Sequence, residues 1–337
     1  MRVSFFVMIL TLAIIAGACS DADSGGLEDG TLTVYSGRSE ELVAPLIEQF
    51  EEETGVNVGV RYAGSSELAA AILEEGTNSP ADVFFAQDPA SLGTIALAGL
   101  FTELSDDVVG MVPERFSDSG SRWVGTSGRA RVAVYDESIV DPAELPDDEN
   151  GFANPEWRGR VAIAPTNGSF LSFVSAKILL EGEEATLAWL EGMAANQAPT
   201  YPKNSAIVAA VDEGQVETGL VNHYYRYRRA AEEGSTVAVN FFFPSSTAAS
   251  LVMPAGAGIL GSAENPEAAK AFIEFLLTRE AQEYFAAETF EYPLVPEVEP
   301  FAGLPSIESI TTPDIDLSLL ATVLDRATDL VSQAGLL

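Results

Sequence analysis

The chain has 337 residues, of which 47% are hydrophobic, and its formal net charge is −34. This length indicates about two domains with enough apolar material for their cores. A field of this sign repels nucleic acid, which we therefore exclude as a partner, and it attracts cations. A solvated acidic surface suited to a salty or extracellular setting explains the composition equally well.

The N-terminus has the pattern of a secretory signal peptide. Arg2 precedes an apolar run that ends before Cys19 and is too short for a membrane span. Cys19, the only cysteine, resembles the lipidated cysteine of bacterial lipoproteins, although Ala16 stands where leucine is usual. We predict a signal peptide over 1–18, a lipid-anchor linker over 19–30, and an exported protein tethered to the outer face of the cell membrane. Plain secretion to the periplasm or medium is the alternative.

Short apolar runs alternate with amphipathic helices from residue 31 onward, which predicts an α/β fold. Predicted strands span 31–36, 56–62, 81–86, 123–136, 160–165, 217–224, 237–243 and 250–260. Predicted helices span 40–54, 66–76, 89–99, 169–182, 183–196, 205–214 and 317–334, with two more within 265–290. Ser39 can cap the first helix, and Gly55 can end it. The β-α-β-α-β order indicates a largely parallel sheet, and the long segment 123–136 is predicted to cross between two lobes that enclose a cleft.

Seven blocks of sequence, in order, resemble the substrate-binding proteins of bacterial ferric-iron ABC transporters. They are LTVYSGRSEELVAPLIEQFEEETG, SPADVFFAQD, WVGTSGRARVAVYD, APTNGSFLSF, YPKNSAIVAAV, GLVNHYYRYR and ETFEYPLVP. The likeness covers about residues 31–296. It implies the type II periplasmic-binding-protein fold, with an N-terminal lobe of 31–128 plus 252–305 and a C-terminal lobe of 129–251 plus 306–337.

The resemblance implies that Tyr224 and Tyr225 supply two phenolate oxygens to Fe³⁺. A small, trivalent, hard cation favours anionic oxygen, and it can displace the proton of a phenol whose ordinary pKa is about 10. Adjacent side chains on a strand point to opposite faces, so we expect the pair at a strand-to-helix junction, where both can converge on one ion. Tyr227 is interpreted as a packing residue and His223 as a neighbour that does not ligate.

Three positions depart from the ligand sets that relatives use. Ser39 stands where some relatives have a histidine, Gln87 where they have a glutamate, and Phe170 where others have a tyrosine. We therefore predict Ser39 and Gln87 only as outer residues of the site, and Asp88 as a surface or helix-capping residue. With two protein ligands, the resemblance implies that a synergistic anion, carbonate or phosphate, completes the coordination together with water.

The implied anion site lies at the start of the predicted helix 169–182. Its matching residues are Asn167, Gly168, Ser169, Asn204 and Asn222. A helix N-terminus presents free N–H groups and the positive end of a dipole, which favours an anion. Arg129 can pair with carbonate or phosphate through its fork of donors, or it can form a structural ion pair. The asparagines can equally serve turns and caps.

We therefore predict an extracytoplasmic, monomeric solute-binding protein that captures Fe³⁺, free or chelated, and delivers it to an ABC permease with ATPase subunits. The alternatives are the same fold binding a phosphonate, another oxyanion or a polyamine without metal, and a scaffold module that binds no small ligand. Two adjacent phenols favour iron, because a simple oxyanion site has no need of them. An enzyme is disfavoured, since His223 is the only histidine and no nucleophile elbow, P-loop or zinc-binding cluster is present.

Overall fold

The computed structural model describes residues 31–337. The predicted signal peptide, linker and lipidated Cys19 lie outside this range and stay predictions. Within the range, no helix is both long and apolar enough to cross a membrane.

Eight strands and eleven α-helices alternate along residues 31–337. The strands are β1 (Leu32–Ser36), β2 (Val58–Tyr62), β3 (Val83–Ala86), β4 (Val124–Asp136), β5 (Val161–Ala162), β6 (Thr218–Asn222), β7 (Ala238–Phe241) and β8 (Val252–Ile259). The helices are α1 (Glu40–Thr54), α2 (Ser65–Glu75), α3 (Pro89–Leu97), α4 (Asp106–Val109), α5 (Gly168–Glu181), α6 (Glu183–Ala195), α7 (Asn204–Asp212), α8 (Tyr224–Glu233), α9 (Pro266–Leu276), α10 (Arg279–Ala287) and α11 (Leu324–Gln333).

The strands form one mixed sheet in the order β2-β1-β3-β8-β4-β6-β5, with β7 beside β4. β1 pairs in parallel with β2 and β3, and β5 pairs in parallel with β6. Each of these pairs is joined through helices, as parallel strands require. β8 and β4 run antiparallel to their neighbours. The predicted α/β class is confirmed.

Strand β4 joins the two lobes of the molecule. Its residues 124–130 pair with β8, whereas its residues 131–136 pair with β6 and β7. The first lobe is therefore built on β1, β2, β3, β8 and the first half of β4, and the second lobe on β5, β6, β7 and the second half. This confirms two α/β lobes with a crossover strand; the exact lobe bounds stay a prediction.

Helix α1 shows how the local sequence fixes an element. Its apolar residues recur on one face, which is buried, and Phe50 packs edge-on against Phe272 of α9 with ring centroids 5.2 Å apart. Gly55 ends the helix in the left-handed region at φ 72°, a conformation that glycine adopts without steric cost. Ser39 occupies the N-cap position but its side chain makes no capping hydrogen bond.

Several predicted bounds differ from the structure by a few residues, and at two places the type of element also changes. The predicted strand 217–224 ends at Asn222, because the backbone turns helical at His223 and α8 begins at Tyr224. The predicted last helix starts as a 3₁₀ segment, Leu317–Val323, and becomes α-helical only at Leu324. This segment lies against α3 so closely that a Cβ on Gly93 would come within 2.8 Å of a methyl group on the segment.

Candidate functional site

The candidate site lies where several strands end and the chain enters a helix or loop. Tyr224 follows β6, Arg38 follows β1 and Asp88 follows β3, all near the point where β4 passes between the lobes. Crevices beyond the carboxyl ends of strands are where ligands bind in open α/β sheets. Gly37 allows the β1–α1 loop to approach α2, because a Cβ there would overlap the Ser65 hydroxyl.

Tyr224 and Tyr225 are the first two residues of α8, and their rings stack with centroids 4.1 Å apart at 29°. Tyr224 is buried, with 1% exposure, whereas Tyr225 is half-buried. Burial raises the pKa of Tyr224 well above its ordinary value, and Tyr225 and Glu291 raise it further, while Arg129 and Arg38 oppose the shift. Without a bound cation, Tyr224 is therefore a neutral phenol.

His223 positions the tyrosine pair and has no free nitrogen for a metal. Its Nδ1 accepts the Ala130 backbone N–H at 3.1 Å, so Nε2 carries the proton and donates it to the Phe290 carbonyl at 2.9 Å. Burial lowers the pKa of His223 to about 4, so the ring is neutral at physiological pH. These two hydrogen bonds fix the start of α8 against β4 and against the segment that follows α10.

A buried ion pair that the sequence analysis did not single out lies beside the phenols. Arg38 donates to both carboxylate oxygens of Glu291, at 2.9 and 2.7 Å, and neither side chain is more than 2% exposed. Burial acts to raise the pKa of Glu291, but Arg38, Arg129 and the Ser127 hydroxyl outweigh it and lower the pKa. Glu291 is thus held as a carboxylate.

Arg129 is buried with 1% exposure and keeps unused hydrogen-bonding capacity. Its Nη2 donates to the Pro254 carbonyl at 3.3 Å, and its Nε lies 4.0 Å from a Glu291 oxygen. Nε and Nη1 have no hydrogen-bond partner. A buried donor without a partner costs free energy, about 1–3 kcal/mol, so this guanidinium is well suited to an incoming anion. Of the structural ion pair considered for Arg129, the structure shows only the 4.0 Å contact with Glu291.

Arg131 is a second buried cation that the sequence analysis missed. Its Nη1 lies 3.4 Å from Asn222 Oδ1 and 3.5 Å from Ser169 Oγ, and its guanidinium lies over the Phe173 ring. Burial and the neighbouring Arg129 lower its pKa to about 9, so it is still charged at neutral pH. Three buried guanidinium groups therefore share this region with two buried carboxyl side chains, Glu291 and Asp88.

The residues predicted for the anion site do converge. Asn167 caps α5 by accepting from the backbone N–H and hydroxyl of Ser169, at 3.1 and 2.6 Å. Asn204 donates to the same hydroxyl at 3.1 Å, and Arg131 links it to Asn222. The capping role considered for Asn167 is confirmed. An ideal Cβ on Gly168 would lie 3.6 Å from Asp88 Oδ2, so the start of α5 faces the first lobe.

The remaining predicted residues have the following environments. Ser39 is exposed, and the Gln87 backbone N–H donates to Ser65. Asp88 caps α3 through Ser91 and also accepts the Ser172 hydroxyl at 3.2 Å, which confirms the capping interpretation. Tyr227 packs against Phe290 and Phe301, as predicted. Phe170, which stands where some relatives have a tyrosine, packs against Phe173.

Arg38, Arg131 and Glu291 were missed, and only Arg131 gave a clear signal, because it begins the β-rich run RVAVY. A charge at such a position is rarely buried unless it is paired or functional. Arg38 and Glu291 lie in YSGRSEE and ETFEYP, which contain other charged residues and so do not single them out. What the sequence does not show is which of these charges meet.

The chemistry of the cluster follows from its charges. Within residues 31–337, no group of three or more His, Cys, Asp or Glu side chains is arranged to hold a metal ion. The three buried guanidinium groups, Arg38, Arg129 and Arg131, outnumber the two buried carboxyl side chains, Glu291 and Asp88. Such a site can bind an anion directly, and it can hold a hard cation only if the phenols lose their protons and an anion accompanies the cation.

This chain is similar to known proteins over both lobes. A family model described as bacterial extracellular solute-binding protein matches residues 78–312. The full length of the chain is 33% identical to the full length of the major ferric iron-binding protein of Neisseria meningitidis serogroup B. Iron-bound HitA of Pseudomonas aeruginosa superposes with a TM-score of 0.86 at 30% identity, over 90% of this chain and 99% of that one. Trichodesmium FutA, in complex with iron and citrate, superposes with a TM-score of 0.79 at 28% identity, over 91% of this chain and 100% of that one.

Proposed function

Because the chain belongs to the family of bacterial extracellular solute-binding proteins, we propose that its solute is Fe³⁺, bound by Tyr224 and Tyr225 together with a synergistic anion. The family is one of transport proteins rather than enzymes. The fold is the type II periplasmic-binding-protein fold, as the resemblance implied. The ferric-iron-binding relative and the iron-bound neighbour support the choice of solute.

The observation that carries the proposal is the stacked tyrosine pair beside buried arginines. Two phenolates neutralise only two of the three charges of Fe³⁺, and the arginines add further positive charge around the ion. Burying uncompensated charge is costly, so the ion requires an accompanying anion. Arg129, with its unpartnered Nε and Nη1, and the Ser169 end of α5 are the groups we assign to carbonate or phosphate.

The proposed mechanism begins with an open form in which the second lobe presents the phenols. Fe³⁺ and the anion bind at the phenols and the start of α5, and the protons of Tyr224 and Tyr225 pass to the anion or to water. The first lobe, with Arg129, then closes over them. Because the ion contacts both lobes only when they are closed, it shifts the population toward the closed form. The closed form then docks on an ABC permease, whose ATPase subunits drive opening and release. Export, a lipid anchor on Cys19 and a monomeric state complete the proposal.

Metal-free binding of an oxyanion is the second candidate, and one observation favours it. A buried cationic site is present even without a metal. It is formed by the guanidinium groups of Arg129 and Arg131 and by the start of α5. Under this alternative the tyrosines serve only for packing. Both candidates predict anion binding, so the phenols distinguish them.

The test is a visible absorption titration of the mature protein with ferric citrate, with and without added carbonate or phosphate. We expect a phenolate-to-iron charge-transfer band that saturates at one equivalent and depends on the anion. The double variant Tyr224→Phe/Tyr225→Phe loses the band and tight binding while its melting temperature stays near that of the wild type. Tyr227→Phe, a change of the same kind three residues away, keeps both. Stoichiometric iron in the double variant contradicts ligation by the tyrosines. The absence of a band in the wild-type protein with any anion contradicts the ferric proposal and supports the metal-free alternative.

A further inference from the structure

A cavity of about 410 Å³ opens next to Tyr225, the more exposed of the two phenols. Its charged lining comes from both lobes: Lys203 before α7, Arg228, Arg229 and Glu232 on α8, and Glu41 on α1 of the first lobe. This volume is in the range of pockets that take small molecules. The cavity is separate from the buried groups assigned to the anion, none of which line it.

The charge of this cavity is opposite to that of the protein. The molecule as a whole carries −34, yet three of the five charged residues that line the cavity are cationic. A cation of this wall that has no carboxylate partner repels bare Fe³⁺ and attracts an anionic complex of iron. The form of iron that the cavity favours therefore depends on which of its cations are unpaired.

The cations of the cavity differ in how far they are already neutralised. Arg229 pairs with Asp212, Glu213 and Glu233, and Arg228 pairs with Glu41 and Glu232. Lys203 is exposed, and no carboxylate among residues 31–337 lies within ion-pair distance of its ammonium group. Lys203 is thus the cation of this wall that is free to bind an anion from solution.

We propose that this cavity is a docking site for a ferric polycarboxylate chelate, with Lys203 binding a carboxylate that the iron leaves uncoordinated. The inference rests on the proposed ferric function. A chelate held in this way presents its iron to the Tyr225 hydroxyl before any ligand exchange occurs. The phenols then replace the chelator on iron, each phenolate–iron bond forming as a chelator–iron bond breaks, and the displaced phenol protons pass to the released chelator or to water.

The experiment compares loading from two iron complexes by stopped-flow absorption at the charge-transfer band. Ferric citrate retains uncoordinated carboxylates, whereas nitrilotriacetate uses all of its carboxylates to bind iron. We expect Lys203→Glu to lower the rate of loading from ferric citrate about tenfold, in the range of electrostatic steering effects, and to leave loading from ferric nitrilotriacetate within about twofold. Lys203→Arg, which keeps the charge, is expected to retain the wild-type rates.

Lys270→Glu is the matched control. It makes the same change of charge on α9, where Lys270 pairs with Glu274 at 3.4 Å and does not line the cavity. Equal slowing of citrate loading by Lys203→Glu and Lys270→Glu overturns the inference, as does equal slowing of both iron complexes by Lys203→Glu. A wild-type protein that develops no band with either complex contradicts the ferric function itself, a result distinct from either of these.

Discussion

In the proposed site, the Tyr224 hydroxyl couples iron binding to pH. Burial and the neighbouring Tyr225 raise the pKa of this phenol well above its ordinary value, so it carries its proton at neutral pH unless a cation displaces it. A ligand that must lose a proton binds its metal more weakly as the solution becomes more acidic. A higher pKa means that removing the phenol proton costs more free energy. A trivalent cation offsets this cost better than a divalent one, so the raised pKa favours a trivalent ion.

We therefore expect the affinity for free Fe³⁺ to fall about tenfold for each unit of acidification through the Tyr224 proton alone. Charge-transfer titrations at several pH values, corrected for the pH dependence of the competing chelator, measure this slope. In Tyr224→Phe, the slope of the logarithm of the affinity against pH becomes smaller by about one, and the affinity itself also falls. An unchanged slope in this variant means that Tyr224 does not ionise when iron binds.

At the scale of secondary-structure elements, Glu291 connects three parts of the first lobe. Its carboxylate receives Arg38 from the β1–α1 loop and Ser127 from β4, while Glu291 itself lies just after α10. Arg129, also on β4, has its Nε 4.0 Å away. Because all these groups are buried, removing the one carboxylate leaves two guanidinium groups without a counter-charge.

Glu291→Gln is expected to lower the free energy of unfolding by about 3 kcal/mol or more, as broken buried ion pairs do. The control Glu75→Gln removes the partner of the 45%-exposed Arg61 and is expected to cost about 1 kcal/mol or less. Since the pKa of Glu291 is lowered on folding, its contribution is present above the pKa of the unfolded chain and is lost as pH falls through the folded value. The difference between wild type and Glu291→Gln in urea denaturation must therefore shrink in acid; a constant difference contradicts an ionic role.

The elements were predictable where local patterns determine them, and the contacts of the site were not. Helix α1 was predicted within a few residues because burial of one face imposes a period of 3.6. Strands β1 and β4 are buried along their whole length, and their β-rich composition predicted them. The pairing of Arg38 with Glu291 joins residues 253 positions apart, and the His223 hydrogen bond from Ala130 spans 93. Such pairings depend on how distant segments of the chain pack against each other, and local sequence patterns do not determine this.

At the scale of the whole molecule, two of the contacts between the lobes differ in their exposure. The Ser172 hydroxyl of α5 donates to Asp88 at the start of α3, and Arg228 of α8 donates to Glu41 of α1 at 3.2 Å. The first contact is buried, whereas Glu41 is 69% exposed. The second therefore contributes little free energy, about 1 kcal/mol at most, so it can break each time the cleft opens.

We expect Glu41→Lys to weaken the closed form, because it places two cations against each other across the cleft. Release of bound iron to excess chelator becomes up to about fivefold faster, which corresponds to the small free energy of an exposed pair. X-ray scattering of the iron-loaded variant should show a larger radius of gyration than wild type. Glu232→Lys, which removes the partner of Arg228 within α8, makes the same change of charge without touching α1 and is expected to leave the radius unchanged. If both variants release iron equally fast, the effect is one of total charge rather than of the contact between the lobes, and closure does not depend on Glu41.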